Sequence, residues 1–463
     1  MKNLQAILDR VPSYDCFFTV AEMEERSCKV KKQFPAEVDL FNIGVSREGR
    51  DINCLKIGHG RVPVLLIGCP HPNEPIGAMT LDALISELLT HGDLAGAFDC
   101  TWYMIKSSDI DATVMNEGWF KGPFTITHYM ENFFRPAFHQ QVEWSFPVMY
   151  KDYSFHSPIP ETQAIMRLMD KVPFRFIYSL HNAGFGGCYW YVTGGEEILF
   201  KKLYLQPERE EIPLHLGEPE TPYCKELYPA VYKDFGLRAQ YDYLEKHMED
   251  FDPSKHLSAG ASCVEYINNH SSDLVYSLVN ELPYFYDPRV EDQSLSEYSR
   301  KEVLLKACAL ADQTQQLLMD LYHRVRAFID RKNPYILAVE DRLRLLSGTP
   351  AKRRWIEGNE AFLKPAKICQ AFDNLYISRF YNNLNFTLLA QGLTHFLESG
   401  EGFEVTKRAV LAETRDRAKE IMEKNNRFLE ENLNYHSIPI EKLVRVQMAS
   451  CFHYLDYVLG KCL

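Results

Sequence analysis

Several features that would assign the chain to a specialised class of protein are absent from its sequence. No apolar run approaches the roughly 20 residues that a membrane-spanning helix needs. The first residues, MKNLQAILDRVPSYD, lack the apolar stretch and small-residue cleavage site of a secretory signal. The formal net charge is −12, so the excess of Lys and Arg that favours nucleic acid or anionic membranes is also missing. These absences predict a cytoplasmic protein with neither a nucleic-acid nor a membrane partner.

Paired cysteine motifs are absent as well. The 12 cysteines are scattered, and none forms a C-x-x-C pair. Without a secretory signal, this pattern predicts reduced and mostly buried thiols rather than disulfides. What the sequence does contain, 46% apolar and 25% charged residues over 463 positions, is typical of a globular protein of two or three domains with a large core.

Short apolar runs alternate with helical patterns over the first two thirds of the chain. VPVLLIGC (62–69) is continuously apolar, as expected for a strand that is buried on both faces. The alternation predicts an α/β fold with a mixed, largely parallel sheet and helices on both faces. The predicted elements are a hairpin over 38–58, strands over 62–69, 98–106, 173–181, 188–194 and 273–282, and helices over 75–89 and 161–171.

Helical periodicity dominates the rest of the chain. It begins near residue 297, and strand-like alternation fades beyond that point. We therefore predict three parts: an N-terminal helical segment (1–37), a catalytic domain (38–330) and a mostly helical C-terminal domain (331–463).

Four ionisable residues lie at the ends of predicted strands. His71 and Glu74 follow the strand 62–69 in the stretch CPHPNEPIG, His181 ends the strand 173–181, and Glu281 lies near the end of the strand 273–282. Sites in open parallel sheets form beyond the carboxyl ends of the strands, so these side chains are expected to converge. Two imidazoles and one carboxylate suit zinc, with a position left for water. A further carboxylate, Glu281, would then act as a general base.

Each of these residues has a structural interpretation when it is considered alone. An isolated H-x-x-E pair is a weak motif, a buried strand-end histidine is commonly hydrogen-bonded, and Glu281 could be a solvated strand end. The common location of all four favours the metal site.

The set resembles the zinc carboxypeptidases of the carboxypeptidase A type, also called funnelins. In that family an H-x-x-E pair follows a strand, a third histidine ends a later strand, and the catalytic glutamate lies in a late strand. The matching residues are His71, Glu74, His181 and Glu281, and PETQA (160–164) resembles a helix opening of the family. The resemblance covers roughly residues 40–330 and implies one zinc ion per chain. It also implies amide hydrolysis by a metal-activated water, with Glu281 taking the proton of that water.

Arg135 is the second predicted catalytic residue. The segment THYMENFFRP (127–136) resembles a family segment whose arginine stabilises the oxyanion. A guanidinium directed at developing negative charge is suited to that role. The alternative interpretation is a surface arginine before a turn, and the two interpretations have equal weight.

The sequence also departs from the family pattern. Where the family has an Asn-Arg pair that binds the terminal carboxylate of the substrate, the segment QVEWSFP (141–147) has Trp144 and Ser145. The mobile tyrosine of the family is missing near Leu257, where His256 is an alternative proton donor. Farther along, either Val264 or Glu265 is expected to line the specificity pocket.

Three functions therefore remain open. The first is a zinc metallopeptidase, carboxypeptidase-like, that cleaves a peptide or peptide-like substrate. The second is a zinc amidase or deacylase whose small substrate lacks a free terminal carboxylate. The third is a non-catalytic zinc-binding scaffold, which Glu281 argues against because a structural metal needs no general base. A homodimer through the C-terminal helices is a further hypothesis.

Overall fold

The computed structural model describes residues 4–346, 349–399 and 404–462. The strands are numbered along the chain. They are β1 (Val38–Val45), β2 (Asp51–Ile57), β3 (Val62–Ile67), β4 (Cys100–Ile105), β5 (Val148–Tyr150), β6 (Tyr153–Phe155), β7 (Phe176–Phe185), β8 (Tyr189–Val192), β9 (Glu226–Tyr228), β10 (Val231–Lys233), β11 (Tyr276–Tyr286), β12 (Leu295–Ser299), β13 (Pro365–Lys367) and β14 (His436–Ser437).

The helices are numbered in the same way. They are α1 (Leu4–Leu8), α2 (Val20–Gln33), α3 (Ile76–Thr90), α4 (Gly92–Ala97), α5 (Ile110–Val114), α6 (Glu117–Phe120), α7 (Ile126–Glu131), α8 (Pro160–Met169), α9 (Glu197–Glu210), α10 (Leu237–His247), α11 (Pro253–His256), α12 (Cys263–His270), α13 (Arg300–Val325), α14 (Pro334–Leu346), α15 (Thr349–Glu357), α16 (Ile368–Phe372), α17 (Ser378–Glu398), α18 (Val405–Asn432) and α19 (Ile440–Cys462). A π-helical turn, Asp373–Ile377, joins α16 to α17.

One large mixed sheet forms the centre of the protein. Its strand order is β1-β2-β4-β3-β7-β11-β8-β10-β9, and β14 adds to β11. The central strands β4, β3, β7 and β11 are parallel, whereas β1, β2 and β8 run antiparallel to their neighbours toward the centre. The predicted mixed, largely parallel sheet is therefore confirmed.

The continuous apolar sequence of β3 reflects burial on both faces of the sheet. Val64 and Leu66 pack into one hydrophobic cluster, with residues of α3, α9 and α19. Leu65 and Ile67 point to the opposite face and pack with residues of α8, α10 and α12. Alternating side chains of one strand thus serve two cores, and the predicted helices on both faces are confirmed.

The predicted hairpin and the predicted helical C-terminal region are also present. β1 and β2 pair antiparallel across a turn that contains Gly49, whose φ of 82° favours glycine. Beyond β12, the described chain is mainly helical, although β14 and α19 return to the central sheet. The boundary near residue 330 stays a prediction.

Two further findings concern membranes and disulfides. None of the helices in the described part of the chain is long and apolar enough to cross a membrane. The cysteines from Cys16 to Cys451 are free thiols.

Candidate active site

The loop between β3 and α3 brings His71 and Glu74 to the edge of the sheet. Cys69 opens the loop with a φ of 46°, a left-handed conformation that is uncommon for a residue with a side chain. Its carbonyl oxygen accepts a hydrogen bond from the Ser108 hydroxyl at 2.9 Å. Gly77 lies so close to β7 that a Cβ atom there would be 2.8 Å from Leu180 Cβ. The close packing of α3 on β7 therefore needs glycine at this position.

The structure brings His71, Glu74 and His181 together. One donor atom from each residue lies within 4.8 Å of the others, and all three residues are buried. The Nδ1 atoms of His71 and His181 each lie 3.0 Å from a different oxygen of the Glu74 carboxylate. Both imidazoles therefore face one carboxylate, as the sequence predicted.

Burial and charge act differently on these three groups. Burial, together with the positive charge of Arg135, lowers the pKa of His71 to about 3. Burial would also lower the pKa of His181, but the Glu74 and Glu281 carboxylates outweigh it and raise that pKa to about 9. Burial opposes ionisation of Glu74, yet its cationic neighbours hold the pKa of its carboxyl well below the usual range. Glu74 is therefore the anionic centre of the cluster.

His181 is supported by two residues that the sequence did not single out as functional. Its Nε2 atom lies 3.0 Å from the Ser179 hydroxyl, which donates a hydrogen bond to Glu143 Oε2 at 3.2 Å. Glu143 is buried, and burial raises the pKa of its carboxyl. A chain of hydrogen bonds thus orients the His181 ring, as is common around metal-binding histidines. The i, i+2 spacing of Ser179 and His181 on a strand was the available clue.

Glu281 lies beside the cluster because of strand register. It is the direct partner of His181 in the parallel pairing of β11 with β7. Its Oε1 atom lies 3.6 Å from His181 Nδ1, and its side chain is only 12% exposed. Burial raises the pKa of Glu281 to about 8. A carboxylate in this environment is a stronger base than a solvated one.

Arg135 also reaches the cluster. It follows α7, and its Nη2 atom forms an ion pair with Glu74 Oε1. Its Nε atom is buried without a hydrogen-bond partner. This location differs from that of a surface arginine, while the predicted catalytic role itself stays a prediction.

A cavity of about 750 Å³ opens over these residues. His71, Glu74, Arg135 and Glu281 line it. Its aromatic lining comes from both halves of the chain: Phe133, Phe138, Tyr189, Tyr243, Trp355 and Tyr381. The cavity can therefore receive a substrate with an apolar or aromatic group next to the cluster.

The specificity residues expected from the sequence lie elsewhere. Among the described residues that line the cavity, neither Val264 nor Glu265 is present. The Glu265 carboxylate instead accepts a hydrogen bond from the Leu237 backbone N–H, at the start of α10. His256 also lies outside the lining, and its Nδ1 atom is 2.8 Å from the Asp252 carbonyl oxygen. The expectation that Val264 or Glu265 lines the cavity was wrong, because Val264 packs against a hydrophobic cluster and Glu265 caps the start of α10. The role of His256 as a proton donor stays a prediction.

The C-terminal helices supply one side of the cavity. Arg342 of α14, Trp355 of α15, Asp373 of the π-helical turn and Tyr381 of α17 line it. The Tyr381 hydroxyl accepts a hydrogen bond from the Gly184 backbone N–H, three residues after His181, at 3.2 Å. The sequence did not reveal this arrangement, because helical periodicity does not indicate which distant loop a helix will cover.

The donor set fits a zinc ion. Two imidazoles and a carboxylate converge, and His71 Nε2 is buried without a hydrogen-bond partner. Zinc sites that catalyse reactions commonly use such a set of three protein ligands. Elsewhere in the described ranges, no other group of three His, Cys, Asp or Glu side chains is close enough to hold a metal.

Comparisons with known structures and curated proteins provide limited information. An insect carboxypeptidase A from Helicoverpa armigera is 16% identical with a TM-score of 0.38, over 61% of this chain and 70% of the other. Bovine thrombin-activatable fibrinolysis inhibitor, in complex with tick carboxypeptidase inhibitor, is 10% identical with a TM-score of 0.38, over 57% of this chain and 86% of the other. No curated protein sequence matches the chain.

Part of the chain matches a protein-family model. Residues 23–212 match the family model described as zinc carboxypeptidase. The matched range includes His71, Glu74, Arg135 and His181, and it ends before Glu281. The family implies zinc, in agreement with the His-Glu-His cluster. Residues 23–212 thus resemble a zinc carboxypeptidase domain, and this match supports a zinc metallopeptidase.

Proposed function

We propose that the protein hydrolyses an amide bond in a peptide or a peptide-like substrate. The observation that carries the proposal is the position of Glu281, a buried carboxylate whose oxygen lies 3.6 Å from His181 Nδ1 at the edge of the substrate-sized cavity. A purely structural metal site would not need this carboxylate.

His71, Glu74 and His181 would hold one zinc ion per chain. When bound, zinc supplies Lewis acidity, which polarises a carbonyl group and lowers the pKa of water. Ser179 and Glu143 keep the His181 ring in orientation through the hydrogen bonds described above.

Glu281 acts as the general base and then as the proton carrier. It takes a proton from the attacking water and delivers that proton to the leaving amine. Burial raises the pKa of Glu281, which makes its carboxylate a stronger base toward that water. Arg135 lines the cavity beside Glu74 and would stabilise negative charge on the carbonyl oxygen during attack.

A second candidate is an amidase or deacylase that needs no terminal carboxylate. Neither Trp144 nor Ser145, which replace the Asn-Arg pair, is among the described residues that line the cavity. The Ser145 hydroxyl is buried and lies 2.6 Å from the Thr162 hydroxyl. This segment therefore offers no group that could bind a terminal carboxylate.

The function can be tested with a mixed peptide library that contains free and amidated C-termini. The zinc-loaded wild type and Glu281→Gln are incubated with the library, and the products are read by mass spectrometry. We expect wild-type cleavage and a loss of at least 10³-fold in Glu281→Gln, since the base is removed. Metal analysis should find one zinc per chain in both proteins, and a chelator should abolish wild-type activity.

Glu226→Gln is the matched control, because Glu226 is an exposed carboxylate on the edge strand β9. It should retain wild-type activity. Cleavage of free C-termini alone would identify a carboxypeptidase, whereas cleavage regardless of the terminus would identify an amidase. Near-normal activity of Glu281→Gln would refute the mechanism.

A further inference from the structure

Helix α14 is held directly on the segment that carries Arg135. The Asp341 carboxylate accepts a hydrogen bond from the Phe138 backbone N–H at 3.0 Å. The rings of Phe134 and Tyr335 pack edge to face with centroids 4.7 Å apart. These contacts place α14 at the rim of the cavity.

Arg342 lies on the cavity side of this helix. It lines the cavity, and its guanidinium carbon is 5.7 Å from the centre of the Phe138 ring. The part of the chain that the structure describes contains no hydrogen bond or ion pair of Arg342. The adjacent arginine behaves differently, because Arg344 is engaged by Asp341 and by the His256 carbonyl oxygen.

Two guanidinium groups therefore share one cavity. Burial and the positive charge of Arg135 lower the pKa of Arg342 to about 10, which still leaves it charged at neutral pH. Arg135 is paired with Glu74, whereas Arg342 has no carboxylate partner among the described residues. Desolvation and repulsion from Arg135 therefore both disfavour a charged Arg342 when no anion is bound to it. A planar guanidinium matches the geometry of a carboxylate and binds it through two hydrogen bonds.

We propose that Arg342 binds a carboxylate of the substrate, so that a residue of α14 makes the enzyme selective for anionic substrates. The proposal deepens the proposed hydrolysis and rests on it. The residue lies outside the segment 23–212 that matches the family model. The carboxylate could belong to the C-terminus of a peptide or to an acidic side chain.

The experiment uses a set of four peptides built on one cleaved sequence. The C-terminus is free or amidated, and the residue next to the scissile bond is Glu or Gln. KM and kcat are measured for the wild type, Arg342→Gln and Arg342→Lys. Arg331→Gln is the matched control. Arg331 is an exposed arginine that precedes α14, pairs with Glu340 of α14 and does not line this cavity.

We expect Arg342→Gln to raise KM about 10- to 100-fold for the peptides with the recognised carboxylate, the loss typical of a charged hydrogen bond. For the peptides that lack this carboxylate, KM should change less than about twofold. Arg342→Lys should recover part of the affinity, because it keeps the charge but loses the two-pronged geometry. The position of the sensitive carboxylate, terminal or side-chain, then identifies its source.

Binding is also measured without catalysis. Calorimetry measures the dissociation constants of the four peptides for two zinc-loaded proteins. One carries Glu281→Gln alone, and the other carries Glu281→Gln together with Arg342→Gln. Equal losses for charged and neutral peptides, or an unchanged KM and Kd, would overturn the role of Arg342. If the wild type cleaves no peptide but the carboxylate-dependent binding is lost in Arg342→Gln, the hydrolytic function fails while the anion site stands.

Discussion

At the scale of single residues, the orientation of His181 depends on groups that are not themselves metal ligands. The Ser179 hydroxyl links His181 Nε2 to the buried Glu143 carboxylate. Such outer hydrogen bonds fix the ring orientation and the basicity of a histidine ligand. They explain why a serine two residues before the histidine matters for the site.

Ser179→Ala should therefore weaken zinc binding about 10-fold or more, with the three ligands still present. Zinc affinity is measured by competition with a chromophoric chelator. Ser277→Ala is the control, because Ser277 is a buried serine of the neighbouring strand whose hydroxyl donates to Asp234. An affinity loss of equal size in both variants would show a general effect on the sheet rather than an effect on His181.

At the scale of elements, a charge cluster ties α3 to its surroundings. Asp82 of α3 accepts hydrogen bonds from Lys106, which follows β4, at 2.8 Å and from Arg26 of α2 at 3.0 Å. Lys106 is only 5% exposed, so its ammonium group depends on this carboxylate. Because α3 begins at Ile76, two residues after Glu74, the cluster also holds the loop that carries His71 and Glu74.

Asp82→Asn should lower the free energy of unfolding by about 3 kcal/mol, since it leaves Lys106 buried without a counter-charge. Burial opposes ionisation of Asp82, but Lys106 and Arg26 hold its pKa below the usual value. The unfolded chain then binds the proton first, so the stabilisation is complete above about pH 5 and is lost as the pH falls through the folded pKa.

Urea denaturation from pH 3 to 8 measures this dependence. The difference in free energy of unfolding between the wild type and Asp82→Asn should become smaller below about pH 4. Asp99→Asn is the control, because Asp99 forms a solvent-exposed pair with Arg61, and loss of this pair should leave the urea midpoint almost unchanged. A difference that is constant over this pH range would contradict the assignment to Asp82 ionisation.

At the scale of the whole molecule, α19 connects the C-terminal region to the site. The buried Gln447 side chain accepts a hydrogen bond from the Thr80 hydroxyl at 2.8 Å and donates one to the His181 carbonyl oxygen at 2.9 Å. Trp190 of the sheet donates a hydrogen bond to the Ser450 hydroxyl of the same helix at 3.0 Å. The C-terminal helix is therefore part of the core around β7.

Gln447→Met should lower the free energy of unfolding by about 2–4 kcal/mol, because the Thr80 hydroxyl and the His181 carbonyl oxygen would lose their hydrogen-bond partner in the core. We expect the wild type to unfold in one cooperative urea transition, with the same midpoint whether it is followed by tryptophan fluorescence or by loss of bound zinc. Lys461→Gln is the control: it removes the exposed pair of Lys461 in α19 with Glu196 and should leave the urea midpoint almost unchanged. Two separate transitions would instead support an independent C-terminal domain with a boundary near residue 330.

The sequence by itself determined the mixed, largely parallel sheet, its flanking helices and the convergence of His71, Glu74, His181 and Glu281. These features could be predicted because apolar runs and strand ends are local patterns, and parallel strands present their carboxyl ends at one edge. The expectation about the specificity pocket was less successful: Glu265 of α12 caps the start of α10 instead of lining the cavity.

Only the tertiary structure decided what surrounds that set. Residues far apart in the chain, such as Glu143 with Ser179 and Arg342 with Phe138, meet because of helix and strand packing. Helical periodicity indicates that a face is buried but does not indicate which partner covers it. The candidate metal donors could therefore be read from the sequence, whereas the helix that supplies the Arg342 guanidinium to the cavity could not.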